Sequence, residues 1–170
     1  MSCIITGGYD LPCSSIGGAE TIWLGNFSGA TTYSLDADNV ITGVTSSPGV
    51  YEFLQEVEVA GVNQTIEVDR NNLSAFFITT VSLRLHNYDK EVRNRLVELL
   101  RAPVVAAIKS NEGLFYFAGV ESAGRMVTGN AGTGVAYSDL NGAEVEIEFR
   151  SKNGIFLLDG TLLGTDIPVL

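Results

Sequence analysis

Apolar and polar residues alternate along much of this chain, with the two-residue period of strands buried on one face. The pattern sharpens at Tyr51, where Tyr51, Phe53, Val57 and Val59 fall on one face and Glu52, Glu56 and Glu58 on the other. Thr65 to Asp69 continues it after a turn over Ala60 to Asn63. From Ala75 to His86 one run places Phe77, Thr79, Val81, Leu83 and Leu85 on a single side; ordinary strands stop after about five or six residues. Near the end, Asp139-Leu140-Asn141-Gly142 turns into Ala143 to Arg150, with Val145, Ile147 and Phe149 pointing one way and Glu144, Glu146 and Glu148 the other. Thr21 to Phe27 and Val40 to Val44 read as further strands. Val104 to Lys109 and Leu114 to Ala118 flank Ser110-Asn111-Glu112-Gly113 as the arms of a hairpin.

One stretch has a different period. Val92, Leu96, Leu99 and Leu100 sit at i, i+4, i+7 and i+8, an apolar stripe that predicts a helix over about 89–102 packed through those four residues. Asn87 or Asp89 can cap its start, Arg101 complements its C-terminal dipole and Pro103 stops it. Gly119 to Gly134 is rich in glycine and reads as loop. Residues 1–19 then form an N-terminal arm, 20–152 a domain, and 153–170 a tail too apolar to hang free in water. The expected fold is mainly β, a sandwich or barrel with one flanking α-helix.

Composition narrows the class. The chain has 170 residues, 45% apolar and 18% charged, enough for one domain with its own core. Acids outnumber bases by 20 to 10, a net charge of −10, which disfavours the phosphate-neutralising contacts of ordinary nucleic-acid binding. No run reaches the roughly 18 apolar residues of a membrane-spanning helix. The opening residues lack the basic and apolar regions of a signal peptide, so the expectation is a chain made in a cytoplasm with no membrane partner. Cys3 and Cys13 are too few for a disulfide framework or a zinc site and read as reduced thiols.

Candidate chemistry is sparse. His86 is the single histidine, and no nucleophile motif such as G-x-S-x-G accompanies it. Gly129 to Gly134 supplies G-x-x-x-x-G, but Val135 and Ala136 stand where a phosphate loop needs Lys and Ser or Thr. The expectation is no catalytic site, no cofactor and no metal. The conspicuous feature is acid on strand faces: Glu52, Glu56 and Glu58, then Glu67 and Asp69, then Glu144, Glu146 and Glu148. Two readings stay open. These are solvated faces that keep the domain soluble, or they keep a surface negative so that a polyanion slides past.

The order of elements is informative in itself. A long strand (Ala75 to His86), a charged amphipathic helix, a strand (Val104 to Lys109) and a tight hairpin precede Gly132-Thr133-Gly134 to Asn141-Gly142 and the last long strand. This order resembles the tail tube proteins of tailed bacteriophages and the related tube proteins of contractile injection machines. The stretch from Gly132 to Gly142 is similar to phrases in phage virion proteins, including those of crAss-like and other Bacteroidetes phages, and Thr21 to Phe27 after the Cys- and Gly-containing arm is similar too.

The resemblance spans Gly17 to Arg150. It implies a β-sandwich with a flanking helix, six copies closing a ring, and rings stacking into a tube that DNA traverses without specific binding. Glu144, Glu146, Glu148, Glu52, Glu56 and Glu58 become candidate lumen-lining acids. The implied partners are further copies of the chain and tape-measure, tail-tip and neck proteins; the implied location is a virion tail, made in the bacterial host cytoplasm. One departure is that the polar face of Ala75 to His86 carries Arg84 and His86 rather than acids. Two other readings remain: another virion component (neck ring, tail completion or baseplate), and a carbohydrate-binding β-sandwich, which would need exposed aromatics.

Overall fold

The computed structural model describes residues 8, 15–56 and 58–170. Cys3, Cys13, Val57 and most of the N-terminal arm lie outside the described residues. The described chain is mainly β, in two sheets with one helix. The first sheet holds β1 (Ala19–Asn26), β2 (Thr32–Leu35), β3 (Val40–Thr45), β4 (Val50–Leu54), β7 (Val104–Ser110), β8 (Phe115–Ala118) and β11 (Phe156–Leu158), in the order β2-β3-β11-β8-β7-β1-β4. The second holds β5 (Gly61–Asp69), β6 (Ser74–His86), β9 (Arg125–Gly132) and β10 (Gly142–Ser151), in the order β5-β6-β10-β9. All pairings are antiparallel except β11 with β3. Neither sheet closes into a barrel among the described residues.

Strand alternation decides where the two cores lie. Ile22 and Leu24 of β1, with Val104, Ala106 and Ile108 of β7, meet Val81 and Leu83 of β6 and Val145, Ile147 and Phe149 of β10. Trp23, Val105 and Ala107 project from the opposite face of the same strands, into a second core with Phe117, Ile41 and Val44. Residues 153–170 complete that second core. β11 lies between β3 and β8, Leu162 of a 3-10 turn (Gly160–Leu162) and Ile167 are buried, and the Leu170 amide donates to the Val50 carbonyl at 2.9 Å. Burial of each such side chain contributes about 1.5–3 kcal/mol. Tyr33 packs on Phe117 with ring centroids 5.4 Å apart, and burial pushes its hydroxyl up to about 12.

The helix, α1 (Lys90–Arg101), starts on Asp89, whose carboxylate accepts from the Val92 amide at 2.9 Å. Such a cap is worth about 1 kcal/mol. Leu99 is buried and Leu96 is half-buried against the first core, with Val92 half-buried one turn earlier. Leu100 departs from the expected stripe: it is 64% exposed. Each residue turns a helix by about 100°, so Leu100 lies a quarter-turn beyond Leu99, past the narrow strip that touches the sheets.

Three strand assignments also change. The alternation from Tyr51 to Val59 is not one strand, because β4 ends at Leu54. β4 belongs to the first sheet and β5 to the second, so the chain must leave the ladder between them. Gln55 anchors that crossing, its side-chain oxygen accepting from the Arg84 amide at 2.8 Å, and Glu58 takes φ 65°. The expected turn at Ala60 to Asn63 is instead the start of β5, where Gly61, Val62 and Asn63 pair with Ser82, Val81 and Thr80. Conversely, Arg125–Gly132, read as glycine-rich loop, is the edge strand β9 paired with β10. Its residues are small where a central strand's are large: Gly129 stands opposite Val145, and Met126 folds its methyl over the site a Cβ would occupy there.

Candidate functional site

The second sheet packs one face on the core and leaves the other in solvent. On that outer face β10 presents Glu144, Glu146, Glu148 and Arg150, opposite Arg84, Ser82, Thr80 and Ile78 of β6. On its other side β10 meets Asn130, Thr128 and Arg125 of β9, with a bulge between Glu146 and Ile147. Arg84 Nε donates to Glu144 Oε1 at 3.0 Å, and its Nη2 donates to the same oxygen. Arg150 Nε donates to Glu148 Oε1 at 2.7 Å. That hydrogen bond and charge, with Glu67 behind them, raise the Arg150 guanidinium above its ordinary value. Glu146 has Ser82 and Thr128 as cross-strand neighbours and no ion pair among the described residues.

The three glutamates therefore do not stand as a bare acidic wall. An i, i+2 pattern sees one strand only, whereas charges on a sheet are balanced by neighbouring strands. Arg84, Arg125 and Arg150 are the charged residues of this face that sequence reasoning underused. Arg84 was visible on the polar face of its strand, but pairing it with Glu144 requires the register of β6 on β10. Pairs this exposed contribute about 0–1 kcal/mol each; their effect is on the surface potential.

The other candidate acids are dispersed. Glu52 lies on β4, at the edge of the first sheet, while Glu56 and Glu58 lie in the crossing between sheets. The expectation that these three share a strand face is thus corrected, because the strand ends before Glu56. Glu56 Oε2 lies 3.6 Å from His86 Nε2 at the end of β6. Glu67 and Asp69 sit on the outer face of β5. Asp69 staples the β5–β6 turn: its carboxylate accepts from the amides of Asn71 and Asn72 at 2.8 and 3.4 Å, and these bonds hold its carboxyl below the ordinary range. Asp139 does the same for the 133–141 loop, where bonds from the Ala136 and Val135 amides, each 2.8 Å, lower its carboxyl.

Both edges of the second sheet, β5 and β9, pair with no further strand among the described residues. Neither carries the Pro or Lys that commonly blunts an edge. The far half of the β5–β6 hairpin exposes Ile66, Val68 and Leu73. Trp23 is buried near Phe115 and offers no sugar-stacking platform. Among the described residues, no three His, Cys, Asp or Glu side chains could hold a metal ion, and no helix is long and apolar enough to cross a membrane. No family model, curated protein or solved structure matches the chain.

Proposed function

We propose that this chain is a structural, non-enzymatic subunit of a tube of the phage tail kind. In this reading it is a β-sandwich with a flanking helix whose copies close six-fold rings, like those of the proteins it resembles, that stack around a DNA channel. The observation that carries the reading is the second sheet. It is antiparallel, packed on one face, mostly polar on the other around Phe76 and Ile78, and its two edge strands carry neither Pro nor Lys. In a ring, β5 of one copy meets β9 of the next and no edge is left unpaired, which is how closed β-structures manage their edges. The outer face then lines the channel with Glu67, Asp69, Glu144, Glu146 and Glu148 against Arg84, Arg125 and Arg150. Because two of those arginines are tied to glutamates, phosphates gain little by releasing counterions there, and DNA passes without being held. At its ends such a tube meets tape-measure, tail-tip and neck proteins in a virion tail.

The test is negative-stain microscopy of the purified chain at high concentration, with sedimentation beside it. Stacked rings are the expected result. Single rings that never stack favour a neck or tail-completion component. An 18.1 kDa monomer at every concentration and salt overturns the reading.

A further inference from the structure

We propose that residues 9–14 of the N-terminal arm lie across the core-side face of the β5–β6 hairpin in the same copy, over Ile66 and Val68. That face continues the core surface past the end of the core. Val62 and Gln64 of β5 stand opposite Val81 and Thr79, both buried. Further along the strand, Ile66 opposite Phe77 and Val68 opposite Ala75 carry the same face onward. Val62 packs against the first core, whereas Ile66 and Val68 are 59% and 63% exposed. Neighbouring apolar side chains left bare on one strand face mark a place where something docks. Glu67 and Asp69 point to the opposite face, so the seat itself is apolar and the channel side of the sheet stays clear.

The root of the arm is fixed beside this face. The described chain runs continuously from Ser15, and Ser15 to Ala19 line a groove of about 320 Å³ together with Val62 and Gln64. Three hydrogen bonds pin that root. The Ile16 amide donates to Glu112 Oε1 at 2.8 Å, Asn111 Nδ2 to the Gly17 carbonyl at 2.8 Å, and the Ala19 amide to the Ala60 carbonyl at 3.0 Å. The arm therefore leaves from the groove that Gln64 lines, and the next side chain on that face of β5 is Ile66. From Val62 to Val68 is about 20 Å of strand, the reach of about six extended residues. Residues 9–14 supply that length.

Their sequence, Tyr9-Asp10-Leu11-Pro12-Cys13-Ser14, suits the seat. Tyr9, Leu11 and Cys13 alternate with Asp10, Pro12 and Ser14, so an extended chain turns the first three to one side. Pro12 favours an extended Leu11 and has no N–H to give to a ladder. Such a segment suits a place over side chains and leaves the β5 edge open. Gly8, just before it, is exposed, as fits a chain that has passed the hairpin. So short a tether holds the arm at its own hairpin at an effective concentration of about millimolar, above that of any second copy in dilute solution. The inference concerns a single copy and does not rest on the tube reading.

The native Cys13 makes the test direct. In a Cys3→Ser background, a short bis-maleimide linker joins Cys13 to the thiol introduced by Ile66→Cys. Glu67→Cys, one residue along and on the opposite face, is the control. Equal parts of isotope-labelled and unlabelled chain distinguish links within a copy from links between copies by mass. The link within a copy should form about tenfold faster with Ile66→Cys than with Glu67→Cys, the advantage of a seated arm over a tether that only collides. Adding Tyr9→Asp with Leu11→Asp should erase the difference. Equal rates at both positions, or links found only between copies, overturn the proposal. Should Ile66→Cys fail to fold, amide exchange of the wild type against Tyr9→Asp with Leu11→Asp reads the same contact. Exchange across 66–68 and 75–77 should quicken several-fold in the double variant, and unchanged rates overturn the seat.

Discussion

β7 and β10 are both central strands, yet they are buried in different ways. Val104 to Ile108 of β7 are buried without a break, since the first sheet has a core on each face. β10 alternates: Ala143, Val145, Ile147 and Phe149 are buried, while Glu144 and Glu146 are exposed and Glu148 is partly so. The central strands of the first sheet are covered on both faces, and residues 153–170 complete that cover. The second sheet packs one face on the core and leaves the other face in solvent. Interaction is therefore to be sought on the second sheet, and the sharpest contrasts in mutational cost should follow the same division.

The largest effect belongs to the doubly covered sheet. Phe117 is fully buried beneath Tyr33, and Phe117→Ala should destabilise by about 3–5 kcal/mol, read as a lowered urea midpoint at unchanged slope. A loss below about 1 kcal/mol would mean that the second core collapses to fill the gap. Next comes the helix, where neighbouring leucines differ. Leu99→Ala should cost about 2–5 kcal/mol, whereas Leu100→Ala should stay within about 0.5 kcal/mol. Equal losses would show that Leu100 is covered in the molecule in solution.

That pair of leucines also marks how far the sequence reaches. The period of 3.6 separates α1 from its neighbours, and the period of two identifies β6 and the buried face of β10, because each element has one continuous core to face. Periodicity does not report the width of the contact, and so Leu100 is miscounted. It does not report a change of sheet, and so Tyr51 to Val59 reads as one strand although Gln55 and Glu56 lie in the crossing. An edge strand lined by Gly129 and Ala131 has no apolar rhythm to detect, and β9 passes for loop. The candidate acids on β10 were legible, and so was Arg84, but its pairing with Glu144 was not, since the two meet across a separation of 60 residues.

A smaller effect follows acidification, and it falls on loops of both sheets. Asp139 holds Ala136 and Val135, and Asp159 holds the Thr161 amide and hydroxyl, each with its carboxyl lowered by those bonds. A carboxyl depressed in the folded state adds stability that is present above its unfolded value, about 3.9, and is lost as pH falls through the lower folded value. Amide exchange at Val135, Ala136 and Thr161 should therefore be unchanged from pH 7 to about 5 and accelerate, relative to the intrinsic rate, only below the ordinary carboxylate range. Acceleration already near neutrality would assign the turns to something other than these carboxylates.

The smallest expected change in stability is on the outer face of β10, where it sharpens the contrast with β7 most. Glu146 has no ion pair among the described residues, and its side chain stands over Ser82 and Thr128 rather than over the core. Glu146→Lys should therefore alter stability by no more than about 0.5 kcal/mol, because Val145 and Ile147 keep their packing. The same change adds a free cation beside Arg84 on every copy. If this face lines a channel, the cations recur around each ring, and assembled particles should retain DNA that the wild type releases. Retention should weaken steeply with added salt, as counterion release requires. Particles that assemble normally and release DNA as the wild type does would place this face outside the channel. A large stability loss would instead show that Glu146 is covered by a neighbouring subunit.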